Sequence, residues 1–305
     1  MAEEEKILGE EKNLEAKRIT EEEEKIFDVA PGEEYVDNRS RLRIFFQVFT
    51  GKFWRLITVN LMFLLFNIPA LAVAFLAAAY LLEIILPASI SSVQDPRIIR
   101  ELFLVLGYPA AFLFLAVPAI TVGPAQAGMT YLLRCYSLEI PTFTWSDFKD
   151  KMKENLKQGT IVCIINLLLT AFFIFDLYIY SQMNTGSDLI FTVANSLLFM
   201  MLIIFIMMNF YIYPMMVTYE LNLKALYKNA FLFALAKFLP NLGILVLCII
   251  LILGPIILID LIGNFIVVFL TYLYYIILGF TLPGLIINFY VNPVIDKYLR
   301  PDTNE

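Results

Sequence analysis

The chain has 305 residues, 60% of them hydrophobic and 16% charged, with a mean hydropathy of +0.76 and a formal net charge of −6. An ordinary soluble domain carries roughly 25% charged and about 45–50% apolar residues, so a soluble globular chain is excluded, as is disorder over most of the length. The lack of histidine removes Ser-His-Asp triads, HExxH zinc sites and histidine proton relays, while Cys135, Cys163 and Cys248 lie too far apart, with no CxxC, for a disulfide framework or zinc ribbon.

The acidity belongs to the N-terminus. Residues 1 to 34 hold thirteen acids and five bases, against fifteen acids and seventeen bases in the rest. This segment has no positively charged leader, so a cleaved signal peptide is not expected. Residues 1–41 read as an acidic, solvated cytoplasmic tail, with docking on a basic partner as the alternative. Residues 42–298 read as a helical membrane domain and 299–305 as a short cytoplasmic tail.

Crossing a hydrocarbon core takes about 20 apolar residues. Six runs qualify, over residues 56–86, 102–133, 160–180, 189–213, 239–259 and 265–291. The predicted fold class is therefore all-α, a polytopic bundle of about six transmembrane helices. The first two runs contain proline, so a tilt, kink or break is expected there. Lysine and arginine number ten in the first 55 residues, five over 134–157, three over 224–237 and two after 296, but only two, Arg97 and Arg100, in the alternate connections. The positive-inside rule then predicts that both termini are cytoplasmic.

The basic connections carry their own helical pattern. Thr144 with Asp147 has capping-box spacing, and Trp145, Phe148, Met152 and Leu156 recur opposite Lys149, Lys151, Lys153 and Lys157. Similar stretches cover Leu42 to Trp54 and Leu223 to Phe238. All three are predicted to be amphipathic helices at the membrane interface, with Trp54, Arg55, Trp145, Phe148, Lys149 and Lys153 touching lipid or a partner. Together with the hairpin that follows each, they suggest three copies of one unit, although any inward-facing connector collects such residues.

Polar residues inside the spans are candidates for function. These are mainly asparagines: Asn60, Asn67, Asn166, Asn195, Asn209 and Asn288. Span two adds Thr121, Gly123, Pro124 and Gln126, where two prolines free backbone carbonyls and Ala119, Gly123 and Ala127 stand at small-xxx-small spacing. Glu83, Asp176 and Asp260 fall near outer ends, which does not suggest a buried proton relay. No phosphate loop, GxSxG or metal-spaced acid cluster is present, so neither catalysis nor a cofactor or metal is expected.

The sequence Phe53-Trp54-Arg55-Leu56 leading to Asn60-Leu61 and Pro69, then Thr121 to Met129, then Trp145-Ser146-Asp147-Phe148 with Asn155, resembles the YesL family of bacterial membrane proteins without an assigned biochemical function. The resemblance is best from about residue 42 to 160. It implies a bacterial plasma-membrane location and association with carbohydrate ABC uptake systems, and it supplies no catalytic or substrate residues. The separation of Pro69 from Thr121 is longer than is usual in the family. The EAA loop of an ABC permease is absent from both basic connectors. The expected function is thus an accessory or assembly subunit of a bacterial solute-uptake system, with the lipid bilayer and ABC permease or solute-binding subunits as partners and no nucleic acid. The alternatives are an independent transporter or channel lined by Asn60, Asn67, Thr121 and Gln126, and a membrane-state sensor.

Overall fold

A computed structural model describes residues 39–90, 121–182 and 189–299. All regular structure among them is α-helical. The chain divides into two compact units, residues 1–44 and 45–305. Only residues 39–44 of the first unit are described, and there Ser40 caps a helix: its hydroxyl accepts from the Arg43 N–H at 3.3 Å and its carbonyl from the Ile44 N–H at 3.1 Å.

The helices in chain order are α1 (Arg41–Gly51), α2 (Phe53–Ile90), α3 (residues 121–137), α4 (Thr144–Glu154), α5 (Leu156–Gln182), α6 (Leu189–Thr218), α7 (Leu223–Ala236), α8 (Phe238–Ile262), α9 (Phe265–Ile277) and α10 (Thr281–Leu299). Four of them contain stretches long and apolar enough to cross a membrane: Phe53–Leu76, Leu156–Leu177, Thr192–Thr218 and Phe238–Ile262. The pair α9 and α10 qualifies as a fifth if counted as one bent span. The second predicted span is described only from residue 121, and its outer half lies outside the described residues, as does the acidic tail.

The three predicted amphipathic helices are present as α1, α4 and α7, and each leads into an apolar helix across a single residue: Lys52, Asn155 and Lys237. The fourth residue after each elbow, Leu56, Gly159 or Asn241, is buried in all three. The same order, a short helix, a one-residue break and a buried fourth residue, thus occurs three times.

The capping of α4 differs from the expectation. Phe143, not Thr144, occupies the N-cap, and the Asp147 carboxylate accepts from the Phe143 N–H at 2.9 Å. Thr144 pairs instead with the Tyr136 hydroxyl at 3.1 Å, a tertiary contact that outcompetes the local cap.

The sixth predicted span is not continuous. α9 and α10 meet at a 50° bend. Pro283 supplies no N–H to the turn before it, so a straight helix would lose a backbone bond there. A side chain at Gly279 would come within 2.6 Å of the Tyr275 backbone, so the sharp turn requires glycine.

Tertiary contacts bring the basic connections to one end of the bundle. Lys52 lies 4.9 Å from the centre of the Tyr136 ring, joining the α1–α2 elbow to the end of α3. Burial, and then the charge of Arg55, hold the Lys52 ammonium below the usual lysine range. Arg134 reaches Asp296 on α10, and the Gln158 amide donates to the Leu221 carbonyl after α6. The main apolar cluster is built from α6 (Met207, Tyr211, Met215), α7 (Leu226, Ala230, Phe233) and α10 (Val291, Ile295), with Ala127 of α3 and Val162 of α5. By contrast, only 11% of the most apolar window of α8 is buried, as expected of a helix whose outer face meets lipid.

Candidate functional site

The polar groups within the bundle do one kind of work repeatedly: an asparagine closes a break in a helix. A helix end leaves carbonyls without partners and a helix start leaves N–H groups without partners, a costly state where water is scarce. At the α9–α10 bend, Asn60 of α2 answers both needs. Its Nδ2 donates to the carbonyls of Tyr275 at 2.9 Å and Ile276 at 2.7 Å, while its Oδ1 accepts from the N–H groups of Phe280 at 3.0 Å and Thr281 at 3.1 Å. Asn60 is fully buried, so no water substitutes for these bonds.

The α7–α8 elbow has the same device. Asn241 donates through Nδ2 to the Phe233 and Ala234 carbonyls at 3.2 and 3.1 Å, and its Oδ1 accepts from the hydroxyls of Tyr211 at 2.7 Å and Tyr290 at 2.8 Å. One amide therefore ties α6, α7, α8 and α10 together. At the α4–α5 elbow, Asn155 donates to the Lys151 carbonyl at 3.0 Å. A further pair, Asn166 to Asn209, links α5 to α6 at 2.5 Å, and the Tyr227 hydroxyl of α7 donates to Asn166 at 2.9 Å.

At the basic end, a charged network joins α3, the end of α6 and α10. The Arg134 guanidinium donates to Asn292 at 2.9 Å and to Asp296 at 2.9 Å, and the Tyr219 hydroxyl donates to the same Asp296 oxygen at 3.0 Å. Asn292 donates in turn to Ser137 at 2.7 Å. Arg134 is 8% exposed, so this is a mostly desolvated pair with its lone pairs and protons shared among neighbours.

The residues singled out from the sequence do not form one lining. Asn60 serves the helix break. Asn67 donates to the Phe63 carbonyl at 2.7 Å and accepts from Thr121 at 2.8 Å, so these two predicted residues do meet, across α2 and α3. Gln126 is half-buried and Pro124 buried within α3. Gly123 faces α5 so closely that an added Cβ would lie 2.1 Å from the Gly159 carbonyl oxygen, and Ala127 joins the main apolar cluster. At Gly123 the small-residue face of span two thus packs on this chain's own α5. Backbone-to-backbone packing needs a glycine on both helices, and Gly159 is the second.

Of the expected interfacial residues, Trp54 is 78% and Trp145 53% exposed, Arg55 and Lys153 are exposed, and Lys149 is half-buried with its ammonium 5.4 Å from the Trp145 ring centre. Phe148 is the exception. It is fully buried, stacked on Phe66 at 5.6 Å, with the Gly128 backbone against it. It anchors α4 to α2 and α3 and does not reach lipid.

Sequence reasoning missed Arg134, Asn241, Asn292 and Asp296. Arg134 was counted as a loop charge and Asn292 fell just past the last span. Asn241 follows Pro240 in the first turn of α8, four residues after Lys237, and a proline and an amide at a helix start is the available signal.

Residues 56–177 match the family model described as Protein of unknown function, DUF624. The matched stretch runs from the start of α2 into α5 and contains Asn60, Asn67, Thr121 and Gly123. No curated protein and no solved structure matches the chain.

Proposed function

We propose that this protein is an accessory or assembly subunit of a bacterial solute-uptake system, resident in the plasma membrane with its basic end in the cytoplasm. The carbohydrate class of solute, and ABC permease or solute-binding subunits as partners, come from the resemblance to the YesL family, with which the matched family model is consistent. The observation that carries the reading is the use to which the inward amides are put. Asn60 and Asn241 each make four hydrogen bonds within the chain, so these inward amides are engaged by the chain's own helix ends and tyrosine hydroxyls.

An independent transporter is the second reading, and it has support of its own. Asn288 Oδ1 and Thr281 Oγ1, seven residues apart on α10, are buried without a hydrogen-bond partner. Affinity purification from native membranes in mild detergent, with mass spectrometry of the retained proteins, tests the choice. Recovery of a sugar-uptake permease or its binding protein supports the accessory subunit. Recovery of this chain alone, with solute flux in proteoliposomes that Asn288→Leu abolishes, refutes it.

A further inference from the structure

At the basic end, the last two turns of α7, the Lys237 elbow and the last residues of α10 enclose an open crevice of about 330 Å³. Leu232, Phe233, Ala236 and Leu299 give it an apolar wall, while Asn229, Lys237 and Tyr298 supply polar groups. We propose that this crevice binds one anionic phospholipid.

Three observations lead there. The crevice sits where an amphipathic helix turns into a membrane-crossing one, which is the depth of lipid headgroups. Its surroundings are cationic: Lys237 lines it, Lys297 lies 5.8 Å from the centre of the Tyr298 ring, and Lys228 is exposed next to Asn229. The neighbouring carboxylate, Asp296, is already engaged by Arg134 and Tyr219 and does not cancel that charge. Finally, Leu232 is 51% and Tyr298 57% exposed, so the wall continues to the bilayer-facing surface, where an acyl chain can lie. A headgroup phosphate at Lys237 with acyl carbons along Leu232 and Leu299 uses both characters of the site. Basic pockets between membrane helices take anionic headgroups in this way.

The test titrates the full-length protein in dodecyl maltoside with phosphatidylglycerol or phosphatidylcholine, and counts bound lipid by native mass spectrometry. The wild type retains one phosphatidylglycerol in preference to phosphatidylcholine. Lys237→Gln weakens that retention about fivefold, the size of one basic residue's attraction to an anionic lipid surface. Ala236→Trp, which fills the crevice from an exposed position, abolishes it. Circular dichroism and gel filtration confirm that each variant is folded. Equal retention of the two lipids, or retention unaffected by Ala236→Trp in the folded variant, overturns the proposal. So does binding that emerges only after deletion of residues 300–305, since the crevice would then belong to the chain's own tail.

Discussion

Replacing Asn60 by leucine keeps the volume of the side chain and removes all of its polar atoms. Two carbonyls, of Tyr275 and Ile276, and two N–H groups, of Phe280 and Thr281, then lose their partners around a fully buried side chain. A buried group left unsatisfied costs about 1–3 kcal/mol in water-soluble proteins, whereas side-chain hydrogen bonds between membrane helices average about 0.6 kcal/mol. Four bonds at these rates span roughly 2–12 kcal/mol, and relaxation of the bend by a turn of rewinding favours the lower half, about 3–5 kcal/mol. The assay is reversible unfolding in mixed micelles, followed by circular dichroism, with Leu61→Ala as the reference because Leu61 is an exposed neighbour. Asn60→Asp retains an acceptor for the two N–H groups but not the donor, and is expected to be destabilised as well. A loss below about 1 kcal/mol for Asn60→Leu, no larger than that of one ordinary hydrogen bond, refutes the clamp.

Gly123→Ala places its Cβ against the Gly159 backbone at 2.1 Å, whereas Gly159→Ala meets Gly123 no closer than 3.0 Å, so the first should cost about 1–3 kcal/mol and the second less in the same unfolding assay. Arg134→Met strands Asp296 and should destabilise by about 3–5 kcal/mol, while Arg134→Met with Asp296→Leu should recover much of the loss in a double-mutant cycle. Trp54 is exposed at an interfacial position, so in a Trp145→Phe background its fluorescence should be quenched by brominated lipids, and quenching by aqueous iodide alone would contradict the placement. If the basic end is cytoplasmic, membrane-impermeant maleimide added to intact cells should label Asn264→Cys, at the opposite end of α8, and leave Glu139→Cys unlabelled until the cells are opened.

Some features of this protein were legible from one dimension. Apolar runs of 20 or more residues force helices, because a backbone in hydrocarbon must pair with itself, and this is why the α2, α5, α6 and α8 spans and the all-helical class follow from composition and length. The amphipathic helices α1, α4 and α7 were equally readable, since a 3.6-residue alternation of lysine and aromatic residues is a local property. The gathering of the basic connections at one end also agrees with the charge count along the chain.

The roles of the polar residues were settled by tertiary structure. An asparagine has the same composition whether it lines a path or closes a helix break, and the difference lies in partners more than 200 residues away, as for Asn60 with Tyr275 and Thr281. The same holds for Gly123, whose small-residue spacing says that something packs closely but not that it is Gly159 of the same chain, and for Phe148, whose burial depends on Phe66 arriving from α2. Hydrophobicity and charge sum along the sequence and specify solvent and helix. A hydrogen bond requires two atoms within about 3 Å in the folded molecule, so which helices break, and what seals them, is decided only when the spans pack.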